Sequence, residues 1–428
     1  MECVDYIIEF LLGEENKEAN NYISYGETDN AKIVIVPSGF FDDTHYLLKE
    51  SLPSEPLKTI DGIPFLYGED IIEHKNGKTY IYADVVASSF FLLSRYEECI
   101  CREQRDMHGR FFSDASLIRR NGLLNRCVVD EYGDMLRRYL DEAGVRIRTP
   151  LKRIKKVFLT HDIDHIWTWN SYYAAFRSFG KRVLQLRQDC FEPFYAVMNY
   201  KEYDPVYTFP LIQELDLAYK KKTTIPCDII YFLMGTTNRT LFDDGYAKNM
   251  ARTQDLVDNL KHNAHIGYHV SYAAKDRLSL IDSEIKNVVS FAGKEITQSR
   301  NHFLASKEPE DYEHLIKNGI TDDFSMGFAD CIGFRLGTCR PVRWINPISK
   351  HVTVLTLHPL TIMERTFDEY MEIENEYEAF EEIKAMILKT KYHSGEITLL
   401  WHNDSFAGNT YFKSLYKKTL DYLLAIEG

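Results

Sequence analysis

From about residue 149 onward the chain alternates short strand-like apolar runs with longer runs of helical period, and this alternation narrows the folds open to it. The strand-like runs are KVFLTHD (156–162), CDIIYFLM (227–234), AHIGYHV (264–270), EITQSRNHF (295–303), IGFRLGT (332–338), VTVLTLHP (352–359) and EITLLWHND (396–404). Between them, TFPLIQELDLAYKKK (208–222), TQDLVDNLKHN (253–263), LSLIDSEIKNVVSFA (278–292) and IENEYEAFEEIKAMILKTKY (373–392) repeat apolar residues at helical spacing. Strand–helix–strand repetition implies parallel strands covered by helices. About seven such strands favour a (β/α) barrel over an open sheet.

The region before this pattern reads differently. AKIVIVPS is strand-like, ADVVASSFFLLSRYEE has helical spacing, and DEYGDMLRRYLDEAGV is an amphipathic helix stopped by Gly144. The expected organisation is a small α+β domain over 1–148 and an α/β barrel over 149–428, with the change at TPLKRIKK (149–156).

Hydrophobic residues make up 45% and charged residues 27% of the 428, a globular composition. A net charge of −13 argues against a nucleic-acid partner, which needs a basic face. The eight cysteines are scattered with no CxxC pair, as in a reduced protein. The N-terminus lacks a basic leader pattern, and no run of about 18 apolar residues occurs. These features lead to the expectation of a cytoplasmic enzyme with no membrane partner.

The strand-like runs begin apolar and end in ionisable groups. In order they supply Asp162 and Asp164, His269, Arg300 and His302, Arg335, His358, and His402. The carboxyl ends of parallel strands share one face, so these groups can converge. Aspartate with several histidines is a ligand set for a divalent metal such as Zn²⁺. Residues i and i+2 of a strand point to one side, so Asp162 and Asp164 can face one cavity, one as ligand and one as base. His161 and His165 then point away, and His265 lies near its strand's start. Trp167, Trp169 and Trp401 lie beside these residues and are candidate sugar-stacking surfaces.

FLTHDID, HIGYHVSY, SRNHFL, DDFSMGFADCIGFRLGT and LLWHND stand in the order of the motifs of the polysaccharide deacetylase family, and the chain resembles that family. Its members are metal-dependent carbohydrate esterases with a distorted (β/α) barrel. The likeness is nearest to a divergent branch with an extra N-terminal domain of unknown role, resembled here by ASSFFLLSRYEE and DMHGRF. The resemblance implies Asp162 as catalytic base, Asp164 and His269 as metal ligands, and Arg300 orienting the base. It further implies Asp323 tuning the acid histidine and His402 as general acid. The second histidine ligand of the family is replaced here by Ala273. His302, at the end of the next strand-like run, is the candidate to fill that place. The implied reaction is metal-assisted removal of an N-acetyl group from an amino sugar or glycan precursor. Two alternatives stand beside it: a hydrolase of a non-sugar C–N bond, and a degenerate carbohydrate-binding or scaffold protein.

Overall fold

The computed structural model describes residues 1–245, 250–307, 309–408 and 410–427. The chain divides into two compact units. One comprises Met1–Lys156, Phe303–Thr361 and Ala385–Ile397; the other comprises Val157–His302, Ile362–Lys384 and Thr398–Gly428.

The first unit is α+β. Its four-stranded sheet has the order Ile23–Tyr25, Ile33–Ile35, Lys78–Ala83, Gly68–Lys75. Helix Val128–Glu142 ends just before Gly144, whose φ of 78° suits a glycine. The helix expected across ADVVASSFFLLSRYEE is broken in two, Val85–Leu93 and Tyr96–Ile100, at Arg95 with φ 59°. The break turns Arg95 onto Glu98, with Nε to Oε1 at 3.0 Å. Arg335 grips the same carboxylate, its Nε and Nη2 at 3.0 and 2.7 Å from the two oxygens. Burial alone would raise the Glu98 carboxyl; the Arg335 and Arg95 guanidiniums hold it down to about 2. The strand expected over 332–338 does not form. Gly333 and Gly337 take φ of 148° and 65°, turning the chain so that Arg335 reaches Glu98. The strands present nearby are instead Asp322–Met326 and Val342–Ile345, either side of Val352–Pro359.

The second unit is built on parallel strands: β1 (Lys156–Ile163), β2 (Cys227–Met234), β3 (His265–Val270), β4 (Gln298–Asn301), β5 (Ile362–Met363) and β6 (Glu396–Leu400). Their order is β4-β3-β2-β1-β6-β5, so β1 and β6 are neighbours in one sheet. β1 is buried almost throughout, as a parallel strand covered on both faces must be. Its longer helices include α1 (Tyr172–Leu184), α2 (Phe209–Lys222), α3 (Met250–Leu260), α4 (Ser279–Ala292) and α5 (Thr410–Ala425). α2 has proline in its first turn and three lysines in its last, α1 is capped by Ser171, and α4 stops at Gly293. The α/β class with a barrel-type parallel sheet, accompanied by an α+β unit, is therefore what the chain forms. No helix among the described residues is long and apolar enough to cross a membrane.

β1 is tied to its cover by a buried polar link. His161 Nε2 lies 2.9 Å from Asp216 of α2, and its Nδ1 lies 3.0 Å from the Trp401 carbonyl. Tyr416 of α5 donates to the other Asp216 oxygen. Replacing Asp216 with alanine leaves His161 and Tyr416 without that acceptor in a dry interior. The Asp216→Ala protein should lose about 3–5 kcal/mol of stability, read as a drop in its urea midpoint.

Candidate metal centre

The sheet register sets the site. Asp162 pairs with Phe232, Phe232 with Gly267, Met234 with His269, and His269 with Arg300. His269 and Arg300 thus lie level at the carboxyl edge, and Ile163 opposite Leu233 brings Asp164 to the same level. Gly267 makes room within the sheet. A Cβ there would come within 2.6 Å of the Phe232 ring, on which the Arg300 guanidinium lies at 4.5 Å.

Asp162 and Asp164 face the same space. His269 Nε2 stands 3.6 Å from Asp162 Oδ2 and 3.4 Å from Asp164 Oδ1. His302 Nε2 is 3.5 Å from Asp164 Oδ1, and His402 Nε2 is 3.6 Å from Asp164 Oδ2. Arg300 Nη1 donates to Asp162 Oδ1 at 2.9 Å. All six side chains are buried. The structure thus brings Asp162, Asp164, His269, Arg300, His302 and His402 together.

Each imidazole is turned by its other nitrogen. His269 Nδ1 meets the Arg300 carbonyl at 2.9 Å. A carbonyl only accepts, so that nitrogen carries a proton, and in the neutral ring Nε2 is the one with the lone pair. His302 Nδ1 donates to Asp243 at 3.2 Å, and His402 Nδ1 to Glu364 at 2.8 Å. All three Nε2 atoms are therefore aimed at the aspartate pair. This is the outer support that metal-ligating histidines require.

Neither Asp243 nor Glu364 was singled out from the sequence. Asp243 lies in an irregular segment after β2, and Glu364 directly after the two-residue β5. Their one signal is a carboxylate shortly after a strand, a pattern common in turns. Asp243 also accepts the Tyr272 and Ala273 amides at 2.7 and 3.1 Å. The segment bearing Ala273 is thus pinned to the carboxylate that orients His302. Glu364 is fully buried and accepts from the His402 amide and the Ser405 hydroxyl as well.

The remaining expected groups lie elsewhere. Asp323 belongs to the first unit, where Tyr312 Oη and the Ser325 amide lie within 3.2 and 3.0 Å of its carboxylate. The carboxylate set against His402 is Glu364. His358, also in the first unit, is held between Glu396 and Asp322. Trp401 is completely buried, with its Nε1 bound to the Phe412 carbonyl, and offers no surface to a sugar. Trp167 and Trp169 line a cavity with His165, while His265 is exposed at the start of β3.

Asp164, His269 and His302 each offer a donor atom, all within 4.8 Å of one another. Asp164 Oδ1 and His269 Nε2 are buried without a hydrogen-bond partner among the described residues. Such atoms are costly unless a ligand satisfies them. Their spacing suits Zn²⁺, because bonds of about 2.0–2.1 Å in a tetrahedron place ligand atoms roughly 3.4 Å apart. The charges reinforce this. Burial alone would raise both aspartates. The Arg300 guanidinium holds Asp162 below the usual carboxylate range, and His302 and His402 hold Asp164 well below it. Burial would conversely lower the histidines, yet His302 rises to about 9 beside Asp164 and Asp243. His402 rises to about 9 against Glu364.

A protein family of unknown function, DUF7033, matches residues 4–144. No curated protein matches the sequence. Among solved structures, the chain is similar to a Mycobacterium smegmatis protein assigned as a polysaccharide deacetylase, at 12% identity and a TM-score of 0.41, covering 66% of this chain and 87% of that one. It is also similar to a mutant of BA3943, a CE4 family pseudoenzyme with restored enzymatic activity, at 13% identity and a TM-score of 0.31, over 65% and 70% of the two chains.

Proposed function

We propose that the second unit carries a metal-dependent hydrolase site that removes the N-acetyl group of an amino sugar or glycan precursor. The observation that carries this reading is the convergence of three oriented Nε2 atoms on two buried aspartates, one of them held by an arginine. Asp164, His269 and His302 would hold a divalent cation, with Zn²⁺ the ion that one carboxylate and two imidazoles suit. A bound cation would polarise the amide carbonyl and acidify a water.

The chain's own groups divide the proton work. Arg300 occupies Asp162 Oδ1, leaving Oδ2 to take the proton of the attacking water. Because Arg300 keeps Asp162 ionised, the base is ready at neutral pH. His402 presents Nε2 to the leaving nitrogen, while Glu364 fixes its Nδ1 and stabilises the imidazolium. All eight cysteines are free, which supports action in a reducing compartment such as the cytoplasm.

Acetate release from N-acetylated amino sugars is the direct assay. Asp162→Asn should abolish release while metal content stays at the wild-type level, and His402→Ala should slow it by ~10²–10⁴-fold. Wild-type turnover in either variant removes that residue from its role. Absence of both metal and turnover in the wild-type protein would instead favour a binding or scaffold protein.

Metal uptake has a pH signature of its own. Without metal, His302 is protonated below about 9 and its Nε2 cannot ligate. Affinity should therefore rise roughly tenfold per pH unit on approach to that value and then level off. Calorimetry of Zn²⁺ at pH 7 in buffers of different ionisation enthalpy should register release of a proton. Asp243→Ala should weaken the metal by ~10–100-fold through loss of the His302 brace. Unchanged affinity in Asp243→Ala would show that His302 does not depend on it.

A further inference from the structure

The second unit contains a cavity of about 630 Å³, within the size range of small-molecule sites. Its wall is tied to the site at three points. His165 follows Asp164 and Asp244 follows Asp243, and both line the cavity. Asn403, next to His402, donates to the His165 and Val206 carbonyls at 2.7 and 2.9 Å.

The lining is cationic in a chain whose net charge is −13. Arg177 and Lys181 stand four residues apart on α1 and so share a face. Neither is in an ion pair among the described residues. Arg239 also lines the cavity, and the one carboxylate among its lining residues, Asp244, is already engaged. Arg239 Nε lies 3.3 Å from one Asp244 oxygen and His165 Nδ1 lies 2.7 Å from the other. The amino end of α1 contributes as well, through Ser171, Tyr173 and Ala174. That end carries a partial positive charge, and its Ala174 amide is already taken by the Ser171 hydroxyl at 3.2 Å. A neutral glycan has no need of two uncompensated cations beside a helix amino end; a phosphoryl group does.

We propose that this cavity is a phosphate subsite, and that the substrate is an N-acetyl amino sugar carrying a phosphate or diphosphate. Arg177 and Lys181 bind the anion, and Trp167 and Tyr173 border the rest of the ligand. The substrate assignment rests on the hydrolase reading above; the anion site does not.

Two measurements on the full chain separate them. In the first, inorganic pyrophosphate is titrated by calorimetry into the wild type, the Arg177→Ala/Lys181→Ala protein and a charge-matched Lys286→Ala/Lys294→Ala control. The cavity pair should weaken binding roughly tenfold, with the control unchanged. No binding by the wild type, equal loss in the control, or equally tight binding of a glucuronate carboxylate overturns the phosphate site. In the second, acetate release is compared for N-acetylglucosamine and its 1-phosphate. The phosphorylated sugar should have the higher kcat/KM, and the cavity pair should abolish that preference while leaving kcat/KM for the plain sugar unchanged. Equal preference in wild type and variant overturns the substrate assignment. Pyrophosphate binding without turnover of either sugar sinks the hydrolase reading and leaves the anion site standing.

Discussion

Two carboxylates buried two residues apart at the end of β1 set the terms for the second unit. Asp162 and Asp164 face one space in the interior, where paired negative charges are costly without compensation. Arg300 compensates the first, and His269, His302 and His402 surround the second. The parallel register makes this possible by bringing His269 and Arg300 level with the end of β1. Asp164 Oδ1 and His269 Nε2 remain without hydrogen-bond partners among the described residues, which gives the arrangement a use for a cation.

Around these groups lies a layer that converts histidines into directed donors. The Arg300 carbonyl, Asp243 and Glu364 each take an Nδ1 proton, and so each fixes which nitrogen faces the aspartates. Asp243 couples this layer to the segment that bears Ala273, the position where the resemblance called for a histidine. An alanine there adds no ligand, but its amide helps hold the carboxylate that orients His302.

In the first unit a comparable compensation is made by two arginines. Glu98 lies between Arg95 and Arg335, and the backbone pays with a left-handed residue at Arg95 and two glycine turns around Arg335. That is why a helix expected across ADVVASSFFLLSRYEE is interrupted and a strand expected over 332–338 is absent. Local period described both segments correctly as apolar and could not foresee a distant guanidinium.

The sequence by itself determined the parallel α/β character, because apolar runs and helical periods alternate locally and each period is a property of adjacent residues. β2 and Val352–Pro359 fall on the runs read as CDIIYFLM and VTVLTLHP, and β1 and α2 lie within a residue of theirs. It also marked Asp162, Asp164, His269, Arg300, His302 and His402 as unusual, since ionisable groups at the ends of apolar strands are conspicuous in one dimension. Only the tertiary structure decided that Glu364 faces His402, that Asp243 holds His302, and that Trp401 and His161 belong to the core. Those outcomes depend on groups dozens of residues apart arriving at hydrogen-bonding distance, and nothing in local spacing encodes such a meeting.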